Sequence, residues 1–142
     1  MEKVSVIITG RNEVFLPRMV QDLLEKLTGD FEILIAQDGA PYHEIPEHPQ
    51  VKVFNRDYQG LKPQVNFLAA AATGKYLFKL DAHCMVSKGI DEEMQKMCGP
   101  HDIVTPRFYV LNAEEWKWQD DRFYDYFFLS CPLTDPSGYR FK

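Results

Sequence analysis

Apolar and polar positions alternate in blocks along the first ninety residues. Val4 to Ile8 is a β-branched run that reads as a buried strand. Apolar residues then fall at Leu16, Met19, Val20, Leu23, Leu24 and Leu27. That is the i, i+3, i+4, i+7 spacing of an amphipathic helix, with Pro17 tolerable only near its first turn. Thr28-Gly29-Asp30 ends it, and Phe31 to Ala36 follows as a second buried strand that runs into Gln37-Asp38-Gly39-Ala40. A loop holding Pro41, Pro46 and Pro49 leads to a short third strand, Val51 to Phe54. Gln64 to Ala72 reads as a second helix closed by Thr73-Gly74, and Tyr76 to Leu80 as a fourth strand ending at Asp81-Ala82-His83.

This order of strands and helices predicts an α/β domain with a mainly parallel sheet. Such sheets bind ligands at the carboxyl ends of their strands. Three polar clusters stand there: Thr9 to Glu13, Gln37 to Ala40, and Asp81 to His83. Farther on, Asp91 to Met97 reads as a helix and Asp102 to Thr105 as a strand, continued by Arg107 to Leu111. Asn112-Ala113-Glu114-Glu115 has the form of a helix start, a cap with an acid three residues on. Residues 108 to 128 hold nine of the nineteen aromatics, interleaved with Asp120, Asp121 and Asp125. The acids argue against a nucleic-acid stacking platform, which needs positive charge. Core packing, an acceptor-side wall or an interface with a second copy or partner remain as readings of this aromatic-rich tail.

Composition narrows the picture. Length fits one domain over residues 1–142, with residues 1–90 carrying the ordered pattern and 91–142 a shorter remainder. Sixteen Lys and Arg against twenty-one Asp and Glu give a net charge of −5, which disfavours non-specific binding to a phosphate backbone, so no nucleic-acid partner is expected. No apolar run approaches the ~20 residues of a membrane span, and the N-terminus lacks the layout of a signal peptide. Cys84, Cys98 and Cys131 form no CxxC pair, which fits a reduced, cytoplasmic compartment.

Each polar cluster has a chemical and a bland reading. Asp81 and His83 offer a carboxylate and an imidazole to Mn²⁺ or a similar ion, with room for phosphate oxygens; otherwise they are a capped turn. Asp38 can accept from the imide N–H of uracil or from a ribose hydroxyl, or it closes a plain turn before Gly39. Arg11, in the Gly-containing loop that opens the first helix, can stack on a base or bind phosphate, while Thr9 or Asn12 can simply cap the helix. This loop is neither a Walker loop nor a dinucleotide fingerprint. His43 to His48 is one residue off the HExxH spacing and contains Pro46, so a solvated loop is expected there. Cys84 is read as a small buried residue and His101 as part of a turn.

Taken together, these residues resemble a known family. Val4 to Ile8, Arg11-Asn12-Glu13, Phe31 to Leu34 leading to Asp38-Gly39, Gly60-Leu61, Asn66, Ala72 to Tyr76 and Leu80 to Cys84 resemble, in order, a glycosyltransferase family 2 domain of the GT-A fold. The Asp-x-His form, with Cys84 and Gly89 after it, is similar to the polypeptide N-acetylgalactosaminyltransferases, whereas most family 2 members carry Asp-x-Asp. The resemblance implies a Rossmann-like α/β sheet flanked by helices. It implies that Thr9, Arg11, Glu13 and Asp38 border the nucleotide, that Asp81 lies near ribose and metal, and that His83 ligates Mn²⁺ or Mg²⁺. Arg11 replaces an aromatic frequent at that position. Gln37 stands where many relatives have an acid, and Pro63 and Val65 replace basic positions, which leaves Lys62 or Gln64 to meet the phosphates.

The implied activity is transfer of a hexosyl or N-acetylhexosaminyl group from a nucleoside-diphosphate sugar, a UDP-sugar by this reading, to an acceptor hydroxyl. The acceptor, whether glycan, protein or small molecule, is unassigned. The family's acceptor half lies downstream of the Asp-x-His motif, where this chain is short. Asp120 and Asp121 are the conspicuous paired acids there and the candidates for catalytic base. Two alternatives stand beside this activity: a nucleotide-sugar-binding module or fragment without turnover by itself, and a nucleotidyltransferase.

Overall fold

A computed structural model describes residues 1–124, 127–129 and 139–141. Asp125, Tyr126 and Cys131 lie outside the described residues. The apolar runs form four strands, β1 (Val4–Gly10), β2 (Phe31–Asp38), β3 (Val51–Arg56) and β4 (Tyr76–Asp81). They make one parallel sheet in the order β3-β2-β1-β4. β1 and β2 are central and read as near-continuous apolar runs because both of their faces are covered. By the right-handed rule for parallel crossovers, the helices α1 (Leu16–Lys26) and α2 (Leu61–Ala71) fall on opposite faces, since the steps from β1 to β2 and from β3 to β4 run in opposite directions across the sheet. α1 starts with Pro17 in its first turn and buries Leu16, Met19, Val20 and Leu23. Leu68 of α2 packs on Ile7, Leu34 and Ala36, with Phe54, Val65 and Phe67 around them. A third helix, α3 (Ile90–Met97), closes this unit, which spans Met1–Lys96. The buried Asp91 on α3 accepts from the N–H groups of Thr28 and Gly29, so the turn after α1 is satisfied.

Register carries the polar clusters to a common edge. Thr9 is opposite both Ala36 and Asp81, Gly10 is opposite Gln37, and Asp38 is opposite Arg56. The strands run one or two residues past their apolar runs, so the first polar residues of each cluster still belong to the ladder. α2 begins at Leu61, three residues before the apolar stripe suggests, because Pro63 is accommodated in its first turn.

The second unit spans Met97–Lys142. Here two sequence expectations are corrected. Asp102 to Thr105 forms no strand; it is irregular, Ile103 is 97% exposed, and a tight turn in which Asp102 accepts from the Gly99 N–H stands just before it, with His101 inside the turn. Asn112 to Glu115 starts no helix. The Asn112 side chain does accept from the Glu115 N–H at 3.1 Å, as a cap would, but the bond closes a hairpin turn between β5 (Phe108–Asn112) and β6 (Lys117–Tyr124). Aromatic residues on both arms favour cross-strand pairing: the Tyr109 ring packs at a tilt against Trp118, with ring centres 4.5 Å apart, and against Phe123 at 6.1 Å. β7 (Phe127–Leu129) pairs antiparallel with β8 (Tyr139–Phe141). Among the described residues no helix is long and apolar enough to cross a membrane.

Candidate functional site

The carboxyl edge of the sheet gathers Thr9 from the end of β1, Arg11 and Glu13 from the β1–α1 loop, Asp38 from β2, Asp81 from the end of β4 and His83 just after it. Asp38 is the most constrained of them. Only 6% exposed, its carboxylate accepts from the Gln59 N–H (2.8 Å) and the Gln64 side-chain amide (2.6 Å) on Oδ1, and from the Gly60 N–H (2.9 Å) on Oδ2. Burial alone would raise its pKa, but these donors and the nearby Arg11 guanidinium outweigh it and hold Asp38 below the usual carboxylate range. Gln64 is in turn fixed by Arg56, whose Nε donates to its Oε1 at 2.7 Å. Gln64 is fully buried, so of the two residues left to meet phosphates only Lys62 is exposed.

Gly39 follows with φ +89°, a left-handed conformation that glycine adopts without steric cost. It lies under Tyr58; a Cβ at Gly39 would stand 3.2 Å from that of Tyr58. The Tyr58 ring is 62% exposed and carries the Arg11 guanidinium 4.3 Å from its centre. Tyr58 is a residue that sequence reasoning passed over, since a lone tyrosine in a polar loop carries no periodic or motif signal. The Gln37 amide, at the same edge, bonds the backbone of His43 on both sides, accepting from its N–H at 2.7 Å and donating to its C=O at 2.8 Å. The His43 ring meets Asn12 at 3.2 Å, so the 40–49 loop is fastened to the loop after β1. The HExxH-like stretch is therefore an irregular loop, as its proline predicts.

Gly10 lets Glu13 approach β4, because a Cβ there would fall 2.8 Å from the Glu13 Cγ and 2.9 Å from the Ala82 Cβ. Glu13 Oε2 then sits 3.4 Å from the His83 Nδ1. With Nδ1 so engaged, Nε2 is the nitrogen left for a ligand, the usual arrangement of an imidazole oriented by a carboxylate. Asp81 is exposed and pairs with Lys79 on the same strand. Among the described residues no three His, Cys, Asp or Glu side chains converge as a metal cage. The Asp81–His83 donor pair therefore fits a borderline divalent ion only if phosphate oxygens and water complete its shell. The thiol of Cys84, beside this pair, is half-buried and pushed up by burial.

The downstream acids lie in the second unit. Asp120 is clasped by Arg122 through both carboxylate oxygens, and this ion pair lowers its pKa. Asp121 beside it is exposed.

No curated protein matches the chain. The sequence profile of the family described as "Glycosyl transferase family 2" matches residues 5–141, nearly the whole chain. The chain thus belongs to glycosyltransferase family 2, the nucleotide-sugar-dependent transferases, and its parallel sheet is the α/β sheet expected of that family.

Proposed function

We propose that this chain is a metal-dependent glycosyltransferase that moves a hexosyl or N-acetylhexosaminyl group from a UDP-sugar to an acceptor hydroxyl. The observation that carries the reading is the convergence of Thr9, Arg11, Asp38 and Asp81 on one carboxyl edge of a parallel sheet, in a chain of family 2. Asp38 has a lone pair left on Oδ2 for the base N–H, beside the one taken by Gly60. Thr9 and Arg11 border the nucleoside, and Glu13 orients His83. Asp81 and His83 would hold Mn²⁺ or Mg²⁺, which when bound supplies positive charge to stabilise the leaving nucleoside diphosphate. Lys62 supplies charge to the phosphates from the first turn of α2. The Asp-x-His form supports an N-acetylhexosaminyl donor. Asp121 is the base candidate of the downstream pair.

One observation favours the second reading, a donor-binding module without turnover: Asp120 is held ionised by Arg122 and is a weak base for that reason. Calorimetric titration with UDP and MnCl₂ tests the donor site common to both readings. Binding that needs the metal and is lost in Asp38→Ala and in His83→Ala is expected; absence of binding by the unaltered chain sinks both. Release of UDP from UDP-sugars by the unaltered chain then separates a transferase from a binding module.

A further inference from the structure

We infer that the exposed ring of Tyr58 is the stacking face for the donor's nucleobase, and that Arg11 is the cover which the base replaces or joins. The inference rests on the donor reading above and adds a contact to it. Tyr58 lies in the short loop between β3 and α2, and the backbone on its C-terminal side is anchored: the N–H groups of Gln59 and Gly60 both bind Asp38. Opposite, the Gly39 N–H donates to the Arg56 C=O at 2.8 Å, and the absence of a side chain on Gly39 admits the Tyr58 Cβ. The stem of the side chain is thus held while its ring stays 62% exposed.

At this edge the exposed Tyr58 ring carries the Arg11 cation, 4.3 Å from its centre. A guanidinium over an exposed ring is a weak contact, and a base stacked on an aromatic ring is a stronger one. Exchange of one planar partner for the other is therefore favourable, and Arg11 displaced toward a diphosphate keeps a partner for its charge. Asp38 is both the anchor of the loop and the acceptor adjacent to the stack. Stacking on Tyr58 contributes affinity for any base, whereas Asp38 reads an N–H on its edge.

The test is calorimetry on the full chain with Mn²⁺ and two probes, UDP and inorganic pyrophosphate, which lacks a base. Tyr58→Ala is expected to weaken UDP by roughly five- to a hundredfold and to leave pyrophosphate unchanged, with Tyr58→Phe restoring UDP affinity. Unchanged UDP affinity in Tyr58→Ala overturns the stacking role alone. Equal weakening of both probes also overturns it, since the loop would then be acting on phosphate. No UDP binding by the unaltered chain overturns the donor reading together with the role built on it.

Discussion

Glu32 and Asp38 lie on the same face of β2, near its opposite ends, roughly 20 Å apart at the usual rise of a strand. Both are buried, at 3% and 6% exposure, and both are held ionised by hydrogen bonds. Their partners differ. Glu32 accepts from the Ser5 hydroxyl on β1 (2.7 Å), from the N–H and hydroxyl of Thr73 after α2 (2.7 and 2.8 Å), and from Lys52 on β3 (3.1 Å). Lys3 stands 3.6 Å away, and the Ser5 hydroxyl itself accepts from the Gly74 N–H. Three strands and the α2–β4 connection are riveted to one carboxylate. Asp38 instead holds one loop and the first turn of α2, next to the exposed side chains of Arg11 and Tyr58. A buried acid with a lowered pKa is therefore no mark of function by itself. What separates the two is what their partners leave exposed: Glu32 closes the amino end of the sheet, and Asp38 shapes a surface at the carboxyl end.

The largest effect that would sharpen this contrast is expected from Glu32→Ala. It leaves the buried Ser5 hydroxyl and the Thr73 N–H without their acceptor, and should cost about 3 kcal/mol or more in urea unfolding. UDP affinity of the molecules that remain folded should be unchanged; a selective loss of affinity at full stability would break the division between the two ends.

Acid provides the same test without truncation. Burial would raise the pKa of Glu32, but the donors from Thr73, Ser5 and Lys52 outweigh it and lower it to about 2 from 4.5. A lowered pKa contributes stability that is present above pH ~4.5 and is lost as pH falls toward 2, on the order of 3 kcal/mol in all. Asp38, also lowered, acts in the same direction. Stability followed by circular dichroism should fall through that window, and Glu32→Gln should flatten the fall. A wild-type stability flat from pH 5 to 2 would contradict the assignment.

Asp38→Ala should cost less stability, about 2 kcal/mol, because the released Gln59 and Gly60 N–H groups lie nearer solvent. Its UDP binding should nevertheless vanish, the reverse of the Glu32 result. The smallest stability effect belongs to His83→Ala at an exposed site: a change within about 0.5 kcal/mol, while Mn²⁺-dependent UDP binding is lost. A metal dependence that survives this variant would remove His83 from the ligand set.

Much of the fold was legible in advance because its signals are local. β-branched runs, the stripe of α1, and the Gly and Pro stops mark the elements of the first unit, and parallel order follows from their alternation. The candidate site was legible as three strand-end clusters, since a parallel sheet aligns its carboxyl ends. The second unit was read less well. Asn112 to Glu115 carries a real capping bond, yet the pairing of Tyr109 with Phe123 and Leu111 with Trp118 makes it a hairpin turn, and such pairing depends on residues distant in sequence. Gln64 looked available for phosphate because a helix stripe says nothing of the acid across the sheet that claims it.

The sequence by itself determined the α/β class, the succession of the first four strands and two helices, and the polar residues at the strand ends, since all of these follow from periodicity and from residue order. Only the tertiary structure decided that Glu32 and Asp38 have opposite duties, that Gln64 and Arg56 serve Asp38, and that Tyr58 stands over Gly39 with Arg11 upon it. Those are contacts across loops and strands, set by register and close approach, and no local pattern encodes them.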